Sequence, residues 1–172
     1  KTSKSKIILV EDQFFHEVKS LVNLHKLEVE ILNCKGLKNK DLLIEDEIIL
    51  GKLSDNVCTM FTSGTSGPSK GVMMPNAHCV LFAIGTIENY NLRDDHTFYI
   101  SLPLFHANGL FMQLLACIIN KNKAIIREKF SASNWLNDII KFKATHTNML
   151  GAVAAFVVAQ PPTKFDKKHH LR

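Results

Sequence analysis

The spacing of apolar residues switches repeatedly between short continuous or alternating runs and a helical stripe, the pattern of strands interleaved with helices. Ile7 to Val10 is an apolar run of buried-strand type. Asp12 follows as a candidate N-cap, with Phe14, Val18 and Leu21 on one face of the helix it would open. Val29 and Ile31 alternate with Glu28 and Glu30, so a β-α-β unit with a parallel strand pair is predicted. Asn33 to Asn39 is turn-rich and lysine-rich, and the acidic, apolar stretch Asp41 to Leu50 fits neither template.

Val57 to Phe61 and Gly71 to Met74 read as strands on either side of a polar loop. Asn76 is the candidate N-cap of a helix to about Tyr90, with Val80, Ile84 and Ile87 on its apolar stripe and Gly85 as an unfavourable interior residue. Phe98-Tyr99-Ile100 is a strand that delivers Ser101 to His106 to a strand-to-helix corner, where α/β sheets bind ligands. Ala107-Asn108-Gly109 opens an apolar helix to about Ile119, and Ala124 to Ile126 is the next strand. Ser131 or Ser133 caps a helix carrying Trp135, Ile139 and Phe142. A short strand at His146 to Met149 and a helix from Gly151 to Ala159 follow, stopped by Pro161-Pro162. Trp135, Phe142, Phe14 and Phe15 are expected in the core, and the charged tail after Pro162 is expected to fray. The fold class is α/β, layered α/β/α with a mainly parallel sheet.

Hydrophobic residues make up 46% and charged residues 22% of the 172, which supports a core and excludes disordered and fibrous classes. The net charge of +5 lies at the ends: residues 1–6 carry three lysines, and residues 164–172 carry three lysines and one arginine against one aspartate. No basic face for nucleic acid is therefore expected. Cys34, Cys58, Cys79 and Cys117 are dispersed, without zinc spacing, so reduced, structural cysteines are expected. With no signal peptide and no apolar run of membrane-spanning length, the expectation is a cytoplasmic protein that engages no membrane.

The informative stretch is Thr62-Ser63-Gly64-Thr65-Ser66-Gly67-Pro68-Ser69-Lys70-Gly71-Val72. Gly64, Gly67 and Gly71 let backbone N–H groups converge on an anion. Thr62, Ser63, Thr65 and Ser66 offer hydroxyl donors, and Lys70 a mobile positive charge. Together they describe a phosphate cradle, and the small polar residues predict a loop that is mobile without nucleotide. A P-loop NTPase needs glycine just before the lysine and a hydroxyl just after it; here Ser69 and Gly71 take those places, which disfavours that reading. A flexible linker is disfavoured by the two flanking strands.

This stretch resembles the signature T-S-G-T-T-G-x-P-K-G-V of the adenylate-forming superfamily, which holds acyl-CoA ligases, luciferases and peptide-synthetase adenylation domains. Nine of eleven positions match, Ser66 and Ser69 being the departures. Pro103-Leu104-Phe105-His106-Ala107-Asn108-Gly109 is similar to the P-x-F/Y-H-x-x-G segment that follows it in acyl-CoA ligases. Asn91 to Leu104, Gln160-Pro161-Pro162 and His170-Leu171-Arg172 look most like crotonobetaine/carnitine-CoA ligases.

The resemblance implies a fragment of the large N-terminal, AMP-binding region, with 1–50 a leading β-α-β portion, 51–160 the phosphate-loop and acyl-pocket portion, and 161–172 a tail. It implies activation of a carboxylic acid by ATP and Mg²⁺ to an acyl-adenylate, then transfer to coenzyme A. Thr62, Ser63, Gly64, Thr65, Ser66, Gly67 and Lys70 would bind the nucleotide, Thr65 would serve the metal, and His106 would line the acyl pocket as the catalytic histidine. The superfamily's Y-G-x-T-E motif, ribose-binding aspartate and C-terminal lysine have no counterpart in these 172 residues. The remainder of a parent protein is therefore an expected partner. Self-association through the surface it would cover, and lack of ligase activity in the fragment alone, are also expected. The rivals are a nucleotide-binding or regulatory module without chemistry, or another adenylate-forming enzyme such as a fatty-acid-CoA ligase or a peptide-synthetase adenylation domain.

Overall fold

The computed structural model describes residues 4–37, 51–62 and 67–172. The chain divides into two compact units, Lys1–Leu50 and Gly51–Arg172.

In the first unit, β1 (Ile7–Val10) and β2 (Glu30–Asn33) pair in parallel, joined through α1 (Phe15–Leu24). This is the expected β-α-β unit, although Asp12 does not cap the helix. Its carboxylate instead accepts from the Asn33 side-chain amide and pairs with Lys35 at 3.3 Å, tying the turn before α1 to the end of β2. Val22 is the buried residue of α1, while Phe14 and Leu21, expected inside, are exposed. Asp41 to Leu50 lies outside the described residues.

The second unit contains an antiparallel hairpin of β3 (Asn56–Thr62) and β4 (Lys70–Pro75), then α2 (Asn76–Asn89). Asn76 is not the N-cap of α2. Its side-chain amide donates to Lys52 O at 2.9 Å, and the first helical N–H groups donate to Asp55 O and Leu53 O, so a preceding turn satisfies the helix start. The fully buried face of α2 is Cys79, Ala83 and Thr86; of the expected stripe, Val80 and Ile87 are half-buried, Ile87 against the Leu92 and Phe98 cluster, and Ile84 is exposed. Small residues win that face because the helix lies against a π-helical segment, Asn108–Leu115, which continues into α3 (Ala116–Ile119).

A three-stranded parallel sheet runs in the order β6-β5-β7, with β5 (Thr97–Ile100) between β6 (Lys123–Ile126) and β7 (His146–Asn148). Every residue of β5 is buried, as a central parallel strand requires. Side-chain alternation sends Phe98 and Ile100 into a cluster with Leu92, Cys117 and Leu114, whereas Tyr99 packs with Ile139 and Trp135 of α4 (Ala132–Lys141). Helices thus cover both faces, and the layered α/β/α arrangement holds. Ser131 caps α4, its hydroxyl accepting from Asn134 N–H. The Tyr99 hydroxyl donates to Asp138 at 3.0 Å, and Arg127 pairs with the same carboxylate oxygen at 3.1 Å, bracing strand and helix. Burial, and then this bond, push the Tyr99 hydroxyl up to about 12.

The last helix is α5 (Gly151–Val158). The tail beyond it does not fray: Leu171 packs on the Tyr99 cluster, Arg172 N–H donates to Thr145 O, and the Arg172 guanidinium lies 3.0 Å from His96 Nε2.

Candidate active site

The hairpin register pairs Thr62 with Lys70, the last paired positions on either side of the glycine- and hydroxyl-rich stretch of the sequence. Its apolar flanks make the strands, and its run of glycine and small hydroxyl residues ends the pairing. The Thr62 hydroxyl lies 3.4 Å from Lys70 O, across the mouth. Thr62, Gly67 and Lys70 are exposed, and Lys70 forms no ion pair among the described residues. An unneutralised ammonium at the foot of a glycine-rich turn suits a polyphosphate anion. Gly67 has φ of 157°, which costs little without a Cβ. A Cβ on Gly71 would meet the Thr59 methyl at 2.8 Å, so glycine there lets the cross-strand side chains close over the hairpin. Ser63, Gly64, Thr65 and Ser66 lie outside the described residues, and the expectation of loop mobility falls on them.

The second motif leaves the C-terminal end of β5. Ser101 Oγ donates to Asn148 O at 2.8 Å, joining the corner to the end of β7. The chain turns so that His106 N–H donates to Pro103 O and Leu110 N–H donates to His106 O. Gly109 is buried in the elbow of this turn. A Cβ there would lie 2.4 Å from Pro103 O and 2.8 Å from Leu102 O, which explains a glycine three residues after the histidine.

The His106 side chain is exposed. Its Nδ1 accepts from Asn108 N–H at 3.3 Å, which puts the proton of the neutral ring on Nε2. The Asn108 side chain in turn accepts from Gln113 Nε2 at 2.9 Å. Gln113 is fully buried, and its Oε1 has no hydrogen-bond partner among the described residues. Neither amide stood out in the sequence, because an i, i+5 contact belongs to π-helical geometry and not to the 3.6-residue period.

The two motifs share a core. Met60 and Met74 of the hairpin cluster with Cys79 of α2 and with Ala107, Leu110 and Phe111, just after His106. Thr62 and Lys70 therefore stand on strands packed against the segment that positions His106. Among the described residues, no group of three or more His, Cys, Asp or Glu could hold a metal ion by itself, and no helix is long and apolar enough to cross a membrane.

A second histidine cluster lies toward the opposite end of the sheet. His96 and His146 stack with ring centroids 4.6 Å apart. His96 Nδ1 accepts from Arg93 N–H, and its Nε2 faces Arg172 at 3.0 Å and Asp95 at 3.6 Å. Burial holds both histidines below their ordinary range; the Arg93 and Arg172 charges lower His96 further, and His96 in turn lowers His146. This pair is structural in setting, away from the strand ends that carry His106.

A sequence profile described as AMP-binding enzyme matches residues 1–172. The chain belongs to the AMP-binding enzyme family. Among relatives in this family, the medium/long-chain-fatty-acid–CoA ligase FadD17 of Mycobacterium tuberculosis is 32% identical over 120 residues, 70% of this chain and 24% of its own length. The chain thus spans about a quarter of the length of such curated relatives. The o-succinylbenzoate CoA synthetase MenE of Bacillus subtilis, with its acyl-adenylate intermediate, superposes with a TM-score of 0.78 at 21% identity, covering 98% of this chain and 42% of that one. The same synthetase with ATP and magnesium gives 0.76 at 22% identity, covering 92% and 32%. At these identities the likeness shows the fold, that of an adenylate-forming N-terminal domain.

Proposed function

We propose that this chain is the phosphate-loop and acyl-side part of an ATP-dependent, AMP-forming acyl-CoA ligase. The observation that carries the reading is the hairpin mouth, where Thr62 pairs with Lys70 and the ammonium stands unneutralised beside a glycine- and hydroxyl-rich turn. It sits on the same core as the His106 corner, in a chain matched throughout by the AMP-binding family.

The chemistry follows from the donors. A carboxylate is a poor acyl donor because its oxygen leaves badly. Attack of that oxygen on the α-phosphorus of ATP releases pyrophosphate and gives an acyl-adenylate; the thiol of coenzyme A then takes the acyl group and AMP departs. Charge grows on the departing pyrophosphate, and fixed donors stabilise it. Lys70, the hydroxyls of Thr62, Ser63, Thr65 and Ser66, and the N–H groups at Gly64 and Gly67 are assigned to that task. The Thr65 hydroxyl would help to hold Mg²⁺, which would supply charge neutralisation for the phosphates. His106, with Nε2–H outward, is assigned to the acyl side. The leading portion 1–50, the central portion 51–160 and the tail 161–172 belong to the same reading, as does a cytoplasmic location.

Two acid classes have support. The residues from Asn91 to Leu104 and those of the tail favour a crotonobetaine- or carnitine-like acid. The FadD17 match favours a medium or long fatty acid. Pyrophosphate release by the intact protein, measured across a panel of both, decides between them. Lys70→Ala should lower turnover by about 100-fold or more. His106→Ala should lower the adenylation rate by about tenfold or more with KM for ATP little changed. An equal loss of ATP affinity would move His106 to the phosphate site.

Residues 1–172 alone should fold but not ligate, because one phosphate loop does not hold ATP, metal and carboxylate together in attack geometry. Phe156 and Val158 of α5 are 62% and 83% exposed, a surface that the rest of a parent polypeptide would cover and through which an isolated fragment would self-associate.

A further inference from the structure

We propose that Gln113 is a positioning residue for His106, acting through Asn108. The inference rests on the assignment of His106 to the acyl side. Gln113 is wholly buried in a segment whose neighbours Phe111, Ala116 and Cys117 are apolar. One end of its amide donates to Asn108 Oδ1, and the other end has no partner among the described residues. A leucine would fill such a site without stranding a polar atom. What glutamine does there is hold Asn108.

Asn108 is the residue whose backbone N–H donates to His106 Nδ1. It stands at the start of the π-helical segment, where backbone N–H groups lack helical acceptors. Fixing its side chain from five residues onward fixes the orientation of the peptide that carries this N–H, because both belong to one residue with few free torsions. The wider π-helical turn brings the Gln113 amide over Asn108. Gly109, between them, allows the turn to close on Pro103 O without a clash. The relay thus runs from Gln113 Nε2 to Asn108 Oδ1, and from Asn108 N to His106 Nδ1. It holds the imidazole with Nδ1 occupied and Nε2–H presented outward.

The test compares Gln113→Leu, Gln113→Glu and His106→Ala in the intact protein, with amide exchange at Asn108 and steady-state adenylation kinetics as readouts. A glutamate buried there among apolar neighbours is held as the neutral acid, whose O–H donates to Asn108 Oδ1 as the glutamine amide does, and so serves as the conservative variant. Gln113→Leu should speed exchange at Asn108 N–H to the rate seen in His106→Ala. It should also lower kcat for adenylation about tenfold with KM for ATP unchanged and no fall in unfolding temperature. Gln113→Glu should restore both readouts. Unchanged Asn108 exchange in Gln113→Leu would overturn the proposal, as would loss of kcat that tracks loss of stability. If His106→Ala itself leaves adenylation intact, the assignment of His106 fails; if His106→Ala slows it and Gln113→Leu does not, only the positioning role fails.

Discussion

Replacing Gly109 by alanine should destabilise the protein sharply, although it adds one methyl group. The added Cβ would sit 2.4 Å from Pro103 O, 2.8 Å from Leu102 O and 2.9 Å from Pro103 C. All three obstacles are backbone atoms, so no rotamer change relieves them, and reaching an ordinary contact requires the corner to retreat by about 1 Å. Pro103 O also accepts the His106 N–H at 3.1 Å, so the same movement breaks the bond that shapes the corner. Overpacking of this kind costs about 1–3 kcal/mol, and a rigid obstacle with a lost hydrogen bond puts Gly109→Ala near the top, at about 3 kcal/mol. For a chain of this size that is a fall of roughly 6–12 °C in Tm. Gly85→Ala is the control: nothing lies within 4 Å of its Cβ position, and alanine in a helix interior should stabilise by about 1 kcal/mol. Urea unfolding followed by fluorescence of Trp135, the single tryptophan, reads both. A Gly109→Ala variant within about 0.5 kcal/mol of wild type, or a Gly85→Ala variant equally destabilised, would refute the steric argument.

Three other outcomes are expected. Because His96 and His146 are held below 6.5 in the folded state, the unfolded chain binds more protons as pH falls through and below that value; stability should be full above about 6.5 and decline toward pH 5. His146→Asn should flatten that decline, and an unchanged pH slope of the urea midpoint would count against the buried pair. Tyr99 should stay protonated until about pH 12, so folding should lose stability as alkaline pH approaches that value. Ultraviolet titration showing both tyrosines ionised well below it in the folded protein would contradict this. Asp138→Asn, which takes the charge from a carboxylate shared by Tyr99 and Arg127, should cost about 1–3 kcal/mol in urea unfolding; a cost near zero would mean that the brace carries no net stability.

The strands were legible because their apolar runs are short, rich in aromatic or β-branched residues and bounded by turn residues, as at Phe98-Tyr99-Ile100. Helix faces were less so. In α2 the sequence points to Val80, Ile84 and Ile87 by size, but close approach of the π-helical segment selects Cys79, Ala83 and Thr86, and size cannot reveal how near a neighbour comes. Asp12 and Asn76 look like caps, yet their side chains bond to Asn33 and to Lys52 O, partners that only the folded chain supplies. The same holds for the His96–His146 stack and for Leu171 and Arg172, which hold down a tail whose composition suggests fraying. At the candidate site, Lys70 and His106 could be named from their motifs. Gln113 could not, since a lone glutamine in an apolar run gives no sign of what it holds.

The most direct test of the central claim is pyrophosphate release from ATP by the intact protein, with and without carboxylic acids and in wild type and Lys70→Ala. Release should require the acid, yield AMP and fall by about 100-fold or more in Lys70→Ala. Hydrolysis of ATP to ADP and phosphate, independent of any acid and unaffected by Lys70→Ala, would contradict that claim.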